Sequence, residues 1–487
     1  MGRPDSRPNL VLFMPDQLRA DAVGCFGNPV VQTPTVDALA ERGTRFDSAW
    51  SQHSVCGPSR VSIMTGWYPH TAGHRTLYNL LKPWEPNLLR LLREAGYYVA
   101  IAGDRGDVFG PGVTEDSSDF CGLLTKPDPE AVGRLYRADH PEDHRMFRAF
   151  YFGAAGEEPL VDGDEALVRT AEEWLAECAP DVEPWVLWMP LLAPHPPFAV
   201  AEPWFSLHDR ADVPAPIPPG AGVGKAGFVE AYRSIYGWDE LGPDDLREIT
   251  ATYYGMVSRT DDQLRRIVEA VDRIGQADRT GWVYFTDHGE YLGDYNLVEK
   301  WPSGLDPQLT ANPLVMSIPG FPEGNVATGH VELVDLLPTL CELAGATVEH
   351  SHFGRSLLPL LEDGTRSHRD AVHCEGGFRV SDEHLLEVGG WIYEPKGRLQ
   401  HERPDLVGIA TCVRTDRWSY VHRLYEPDEL YDRRADPYET TNLVDVPDHR
   451  EVVAGLRTSL LEWLTETSDV IPWEQDPRTP DTPQGWR

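Results

Sequence analysis

The sequence is poor in cations. Its 487 residues contain 43 lysines and arginines against 78 aspartates and glutamates, for a formal net charge of -35. A nucleic-acid-binding surface needs clustered cations that replace the counterions of the phosphates. The charge balance therefore excludes nucleic acid as a partner. Only five residues are lysine, so each lysine near a motif, Lys300 above all, is a candidate for a specific role.

Cysteine and long apolar runs are also scarce. The seven cysteines are widely spaced, odd in number and free of any Cys-x-x-Cys pair, which indicates reduced thiols and not a disulfide framework. The first apolar run, residues 10–14, is too short for a membrane span or for the apolar core of a signal peptide. We therefore expect a soluble, cytoplasmic protein without a membrane partner.

The chain alternates short apolar runs with segments of helical spacing. The apolar runs predict buried strands at residues 9–14, 97–102, 185–191 and 281–286. Helical spacing covers 35–42 and 87–95, and Gly96 suits the end of the second helix. This order predicts an α/β fold with a large doubly wound mixed sheet flanked by helices. In such folds ligands bind outside the carboxyl ends of the strands.

A change in composition near residue 370 predicts a domain boundary. We expect a large α/β domain over residues 1–370 and a smaller α+β domain over 371–487. The second domain has strand patterns at 411–423 and 429–431 and helical spacing at 452–466, which predict an antiparallel sheet and a helix. The tail after Pro472 has no periodicity and would suit contact with a neighbouring subunit in a homo-oligomer.

The most specific motif is Cys-Gly-Pro-Ser-Arg at residues 56–60, continued by Thr-Gly at 65–66. It resembles the maturation motif of type I sulfatases, which belong to the alkaline-phosphatase-like superfamily. The resemblance implies that a formylglycine-generating enzyme oxidises Cys56 to an aldehyde, whose hydrate attacks sulfur or phosphorus. The residues alone also fit a buried cysteine at a strand-to-helix turn, with Pro58 in the first helical turn.

Asp16-Gln17 and Asp287-His288 follow two of the predicted strands. Two carboxylates, an amide oxygen and an imidazole can bind one divalent cation, although residues of these types also cap helices and fill turns. The family resemblance implies a single metal at these positions, in contact with residue 56 as well. We expect Ca2+, with Mn2+ or Mg2+ as alternatives. Gln17 and His288 look more like the phosphonate monoester hydrolase branch.

The resemblance also implies roles for three further residues. Arg60 would hold the hydrated aldehyde and offset negative charge on the transferred group. His195, in the segment Ala-Pro-His-Pro-Pro-Phe at 193–198, would protonate the leaving oxygen, a role that suits a side chain with a pKa near neutrality. Lys300 would neutralise a nonbridging oxygen. Without the resemblance, a lysine is most often solvated surface.

We predict substrate contacts for His74, Asn79 and Arg105. Many sulfatases carry Gly-Lys-x-His after the strand that corresponds to 97–102, whereas this chain has Gly-Asp-Arg-Gly-Asp at 103–107. Arg105 can replace the missing cation, but no base replaces the missing histidine. Aryl-sulfate or glycan-sulfate specificity therefore does not follow from the resemblance.

From this reasoning we expect hydrolysis of a small-molecule sulfate ester to sulfate and an alcohol, by a formylglycine at Cys56 with one divalent metal ion. The alternative is a phosphonate monoester or phosphodiester hydrolase of the same superfamily. A third hypothesis is a noncatalytic anion-binding relative in which Cys56 stays a thiol.

Overall fold

The computed structural model describes residues 7–103, 106–182, 184–222 and 224–469. Its strands are β1 (Asn9–Met14), β2 (Thr44–Trp50), β3 (Tyr98–Ala102), β4 (Phe120–Gly122), β5 (Tyr151–Glu157), β6 (Trp185–Pro190), β7 (Phe198–Glu202), β8 (Thr280–Tyr284), β9 (Ala311–Ser317), β10 (Asn325–Ala327), β11 (Val331–Glu332), β12 (Val372–Gly376), β13 (Ala410–Arg414), β14 (Trp418–Arg423) and β15 (Glu429–Asp432).

Its α-helices are α1 (Pro34–Glu41), α2 (Cys56–Thr65), α3 (Pro69–Ala72), α4 (Leu88–Glu94), α5 (Val113–Ser117), α6 (Pro129–Leu135), α7 (Arg145–Arg148), α8 (Gly163–Glu177), α9 (Phe228–Tyr236), α10 (Pro243–Arg273), α11 (Pro307–Thr310), α12 (Leu336–Ala344), α13 (Leu358–Glu362), α14 (Glu394–Glu402) and α15 (Arg450–Thr467). Short 3-10 turns connect several of them.

A nine-stranded mixed sheet organises the larger part of the chain, in the order β10-β2-β9-β8-β1-β6-β3-β4, with β11 also paired to β2. The central strands β8, β1, β6 and β3 are parallel, whereas β9 runs antiparallel to both β2 and β8. The predicted α/β fold with a large mixed sheet is therefore confirmed. The four predicted strands form here as β1, β3, β6 and β8, and their ends shift by at most two residues.

Strand β1 shows why helices cover both faces of this sheet. Its side chains alternate between two cores, because successive residues of a strand point to opposite faces. Val11 and Phe13 belong to the core that contains residues of α8 and α10. Leu10, Leu12 and Met14 belong to the core that contains residues of α2 and α12. An apolar run without alternation is the pattern of a strand buried on both faces.

The C-terminal part contains a four-stranded antiparallel sheet, β12-β13-β14-β15, as predicted. The pattern over 411–423 forms two strands, because a turn at Thr415 pairs with Trp418 and reverses the chain. Helix α15 packs on this sheet through Leu460 and Trp463. The sheet begins two residues after the boundary predicted at 370, which stays a prediction. The tail after Pro472 lies outside the described residues.

Two features agree with the sequence patterns noted above. No disulfide links any of the seven cysteines, all of which lie in the described ranges. Among the helices of these ranges, none is both long enough and apolar enough to cross a membrane.

Replacing Leu12 by Ala should destabilise the protein by about 2–5 kcal/mol, because this fully buried side chain lies in the central strand and its loss leaves a cavity. Thermal unfolding at a fixed heating rate, followed by circular dichroism, measures the effect. Leu461→Ala is the matched control: it removes the same atoms from a side chain that is 65% exposed on α15, so it should cost less than about 0.5 kcal/mol. Equal losses of stability in both variants would contradict the conclusion that the packing of β1 stabilises the fold.

Candidate active site

Two neighbouring strands end at the same edge of the sheet and deliver the acidic residues. β1 ends at Met14, two residues before Asp16, and β8 ends at Tyr284, three residues before Asp287. Because β1 and β8 are parallel neighbours, their carboxyl ends meet. The backbone then turns sharply: Gln17 has a φ of 63°, in the left-handed region. Its backbone N–H donates to Asp287 Oδ1 at 3.1 Å, which links the two strand ends.

Asp16, Asp287 and His288 form a buried cluster that fits a metal ion. One ligand atom of each lies within 4.8 Å of the other two. His288 Nε2 is 3.7 Å from Asp16 Oδ1 and 3.8 Å from Asp287 Oδ1. Among the described residues, Asp16 Oδ1 and His288 Nε2 have no hydrogen-bond partner. Buried polar atoms normally have partners, so the two atoms fit a cation that binds between them.

The protonation of His288 suits a metal ligand. Its Nδ1–H donates to the Gly289 carbonyl oxygen at 2.9 Å, which leaves the lone pair of Nε2 directed elsewhere. Burial lowers the pKa of His288 to about 4, although Asp287 opposes the shift, so the imidazole is neutral at pH 7. A neutral imidazole and two carboxylates are the forms in which these side chains bind cations.

Arg60 holds the two carboxylates together. Its Nη2 donates to Asp16 Oδ2 at 2.6 Å, and its Nε donates to Asp287 Oδ2 at 2.8 Å. Its Nη1 donates to the Gly106 carbonyl oxygen. Both contacts with the carboxylates use Oδ2, so the Oδ1 atoms remain on the side of His288. The guanidinium thus both neutralises and orients the two acids.

The two carboxylates differ in acidity. Burial and the charge of Asp287 raise the pKa of Asp16 to about 7, against the opposing effect of Arg60. Burial alone would raise the pKa of Asp287 too, but His288 and Arg60 hold it below its usual range. Asp287 is therefore the ionised partner at every physiological pH, while Asp16 titrates near neutrality.

Cys56 is the first residue of α2 and is buried beside these charges. Burial and Asp16 raise the pKa of its thiol to about 12, although Lys300 and Arg60 oppose the shift. The thiol is therefore uncharged at pH 7, and a neutral thiol is a poor nucleophile. Ser59 fixes this end of the helix on the cluster, because its hydroxyl donates to the Asp287 carbonyl oxygen at 2.7 Å.

Lys300 connects the cluster to His195. Its Nζ donates to Gln17 Oε1 at 2.5 Å, to Glu299 Oε1 at 2.6 Å and to His195 Nε2 at 3.0 Å. His195 Nδ1–H donates to the Pro196 carbonyl oxygen at 2.7 Å, so Nε2 acts as the acceptor. Burial and the charge of Lys300 lower the pKa of His195 to about 3. The two side chains therefore form a pair in which the lysine carries the proton.

The side-chain amide of Gln17 bonds to two charged residues of the site. Its amide oxygen accepts from Lys300, and its amide nitrogen donates to Glu290 Oε2. These contacts place Gln17 between the cluster and the lysine. Its role as a metal ligand stays a prediction.

Sequence reasoning missed two buried ionic residues that support Lys300. Glu299 Oε2 lies 3.2 Å from the Nζ of Lys396, a buried side chain on α14. Although burial raises the pKa of Glu299, Lys300 and Lys396 together hold it below its usual range. The scarcity of lysine was the one signal for Lys396, but nothing in the sequence placed it near residue 299.

The predicted substrate contacts His74 and Asn79 are engaged within their own loop. His74 Nδ1 donates to the Asn79 carbonyl oxygen at 2.6 Å, and His74 Nε2 lies 3.1 Å from Glu85 Oε1. The Asn79 amide donates to the Gly73 carbonyl oxygen at 2.7 Å and accepts from Lys82 at the same distance. A substrate role for either stays a prediction. Arg105 lies outside the described residues.

Comparison of the sequence with known proteins identifies the family to which the chain is similar. A family model described as "Sulfatase" matches residues 8–346. The multifunctional alkaline phosphatase superfamily protein PehA of Trinickia caryophylli is 28% identical over 511 residues, covering 95% of this chain and 96% of that protein. An arylsulfatase of Clostridium perfringens is 24% identical over 486 residues, with 94% of each chain covered.

Similarity extends to solved structures. The phosphonate monoester hydrolase of Agrobacterium radiobacter superposes with a TM-score of 0.77 at 25% sequence identity, covering 95% of this chain and 96% of that one. The described fold, including its C-terminal sheet, is therefore shared over nearly the whole length.

Binding of a divalent cation should weaken as the pH falls through about 7, because protons compete for Asp16, whose pKa burial and Asp287 raise to about 7. Calorimetric titration with Mn2+ between pH 8 and pH 5.5 should show a loss of affinity of more than about tenfold. Asp16→Asn should bind weakly at both pH values, since the amide carries no charge. An affinity of the unmodified protein that is independent of pH would contradict the raised pKa of Asp16, and full affinity in Asp16→Asn would rule out Asp16 as a ligand.

Proposed function

The chain belongs to the sulfatase family, and on this basis we propose that it hydrolyses a sulfate ester to sulfate and an alcohol, using formylglycine formed at Cys56. The observation that carries the proposal is the location of Cys56. It begins α2, is buried, and lies four residues before Arg60, whose guanidinium binds Asp16 and Asp287. Residue 56 therefore lies next to the candidate metal site, and, besides burial, the charges of Asp16, Lys300 and Arg60 act on the pKa of its thiol. Maturation by a formylglycine-generating enzyme is part of the proposal.

The acidity of Cys56 favours this modification over catalysis by the thiol. At a pKa of about 12, set by burial and Asp16, the thiol holds its proton at neutral pH. The aldehyde hydrate that replaces it would offer a hydroxyl to the ester. A divalent cation held by Asp16, Asp287 and His288 would supply Lewis acidity at this point.

The donor set bears on the identity of the metal. Ca2+ prefers oxygen ligands, whereas His288 offers a nitrogen. Mn2+ accepts both carboxylate oxygen and imidazole nitrogen. We therefore place Mn2+ ahead of Ca2+, with Mg2+ as the remaining alternative.

Arg60 and Lys300 have different roles in this proposal. Each nitrogen of Arg60 already donates to a protein oxygen, so we assign Arg60 to holding Asp16 and Asp287 in place. Lys300 also donates to three protein acceptors, on Gln17, Glu299 and His195. In this proposal it exchanges one of these hydrogen bonds for one to the transferred group, whose charge its ammonium offsets.

The leaving alcohol receives its proton from the pair of Lys300 and His195. Because His195 Nε2 accepts from Lys300, the imidazole has no proton to give from that atom until the lysine transfers one. We therefore propose that the lysine supplies the proton and that His195 relays it or fixes the position of the lysine. Although burial lowers the pKa of Lys300, the charge of Glu299 raises it above its usual value, so the proton leaves only as negative charge develops on the leaving oxygen. This assignment refines the expectation that His195 acts alone.

A second candidate function is hydrolysis of phosphonate monoesters or phosphodiesters. Gln17 and His288 favour it, as does the similarity to a phosphonate monoester hydrolase over 95% of the chain. Sulfate monoesters, phosphonate monoesters and phosphodiesters all present a tetrahedral centre with one negative charge at neutral pH. One arrangement of a cation, Lys300 and a nucleophile at residue 56 therefore suits all three.

The protein co-produced with a formylglycine-generating enzyme should be about 18 Da lighter than the unmodified chain, whereas ordinary thiol oxidation raises the mass. It should hydrolyse an aryl sulfate, and Cys56→Ala should lose this activity. Cys178→Ala, at a half-buried cysteine outside the site, is the matched control and should keep both the mass difference and the activity.

The same assay compares an aryl sulfate, a phosphonate monoester and a phosphodiester with one leaving group. A higher kcat/KM for either phosphorus substrate would replace the first proposal by the second. An unmodified mass at residue 56 together with anion binding would favour the noncatalytic hypothesis.

Lys396→Met should lower kcat by roughly tenfold to a hundredfold with little change in KM, because small displacements of a catalytic group cost about this much. The variant leaves Glu299 with Lys300 as its remaining cation, so the carboxylate holds the lysine in a different position. Lys396→Arg should restore part of the rate. Lys126→Met, at an exposed lysine, is the control. An unchanged kcat in Lys396→Met would show that Lys396 does not position Lys300 through Glu299.

A further inference from the structure

A cavity of about 150 Å³ adjoins His195. Its walls come from four separate parts of the chain: α6, the start of α8, the segment from β6 into β7, and α10. Val132 and Leu135 contribute from α6, Val200 from β7 and Met256 from α10. Apolar side chains thus form most of the surface.

The rim of the cavity is also apolar. Leu192 is 49% exposed and Tyr136 is 44% exposed, and both line the cavity. Large apolar side chains at the surface next to a cavity are typical of a binding site. Leu192 and Tyr136 therefore present apolar surface where the cavity meets solvent.

The polar groups in the wall are already bonded to the protein. The two carboxylate oxygens of Asp164 accept from the backbone N–H groups of Leu192 and Ala193, at 2.8 and 2.7 Å. Asp162 accepts from Arg259 at 2.6 Å and caps α8. A ligand with many hydroxyl groups would find few partners here, and buried hydroxyl groups without partners are costly.

His195 joins this cavity to the catalytic cluster. It lines the cavity, and its Nε2 lies 3.0 Å from the Lys300 ammonium. An ester whose tetrahedral group lies at Cys56 would place its leaving oxygen near Lys300 and His195. His195 is the residue that the cavity and the cluster share, so the carbon skeleton of the alcohol would reach the cavity by passing His195. The volume of the cavity matches that of an apolar cavity of roughly 150 Å³ known to hold benzene.

We propose that this cavity binds the leaving alcohol and that the substrates are esters of apolar alcohols about the size of one six-membered ring. This inference rests on the proposed function, because the alcohol is the leaving group of that reaction. Sugars and other polyhydroxylated alcohols suit these walls less well, because Asp162, Asp164 and Arg259 already bond to protein groups.

Binding of phenol to Cys56→Ala tests the cavity without any turnover. Ligand-observed NMR should detect phenol but not glucose. Val132→Phe fills the cavity from α6 and should weaken phenol binding by at least about tenfold. Glu130→Phe adds the same ring at an exposed position of α6 that does not line the cavity, so it should bind phenol as before. The thermal unfolding midpoint of each variant verifies that it is folded.

Two results would overturn the proposal: no binding of phenol, or equal binding in Val132→Phe and Glu130→Phe. A second measurement uses the matured enzyme with phenyl and methyl esters of the group that it hydrolyses. Val132→Phe should lower kcat/KM for the phenyl ester by at least about tenfold and leave the methyl ester within about twofold. Turnover without this selective loss contradicts the cavity proposal, whereas absence of all turnover contradicts the proposed function and leaves the phenol result standing.

Discussion

The site depends on one interaction, the contact of the Arg60 guanidinium with the carboxylates of Asp16 and Asp287. Two buried carboxylates at neighbouring strand ends repel each other and lose hydration. Arg60 offsets both effects at distances of 2.6 and 2.8 Å and leaves one oxygen of each acid on the side of His288. Because Arg60 belongs to α2, the same contact positions the helix whose first residue is Cys56. The candidate metal site and the proposed nucleophile position are thus set together.

Much of the fold and part of the site could be predicted because their signals are local. The apolar run of β1 is bounded by prolines and buried on both faces, so its limits follow from sequence alone. Asp16 and Asp287 come just after strands, and parallel strands bring their carboxyl ends to one edge. The motif at residues 56–60 pointed to Cys56, which lies at the start of α2 beside this cluster. These predictions needed only short segments and one general rule of sheet topology.

The rest could not be predicted because it depends on distant packing. Lys396 meets Glu299 across nearly a hundred residues of sequence, and no periodicity of α14 indicates that its buried lysine faces an acid. The amide oxygen of Gln17 accepts from Lys300, and its amide nitrogen donates to Glu290. These partners come from distant parts of the chain, so the sequence does not indicate them. His74 is a residue type that often contacts substrates, but its two ring nitrogens lie against Asn79 and Glu85 of its own loop.

The bridge from Lys396 to Glu299 also makes the site depend on a part of the chain that is synthesised late. All residues around Cys56, through Lys300, leave the ribosome well before α14 does, and chains fold from the N-terminus as they are made. Until α14 docks, Glu299 has Lys300 as its only lysine partner and its second oxygen lacks the cation on which its low pKa partly depends. The charge balance of the site is therefore completed only once the C-terminal part of the chain has docked.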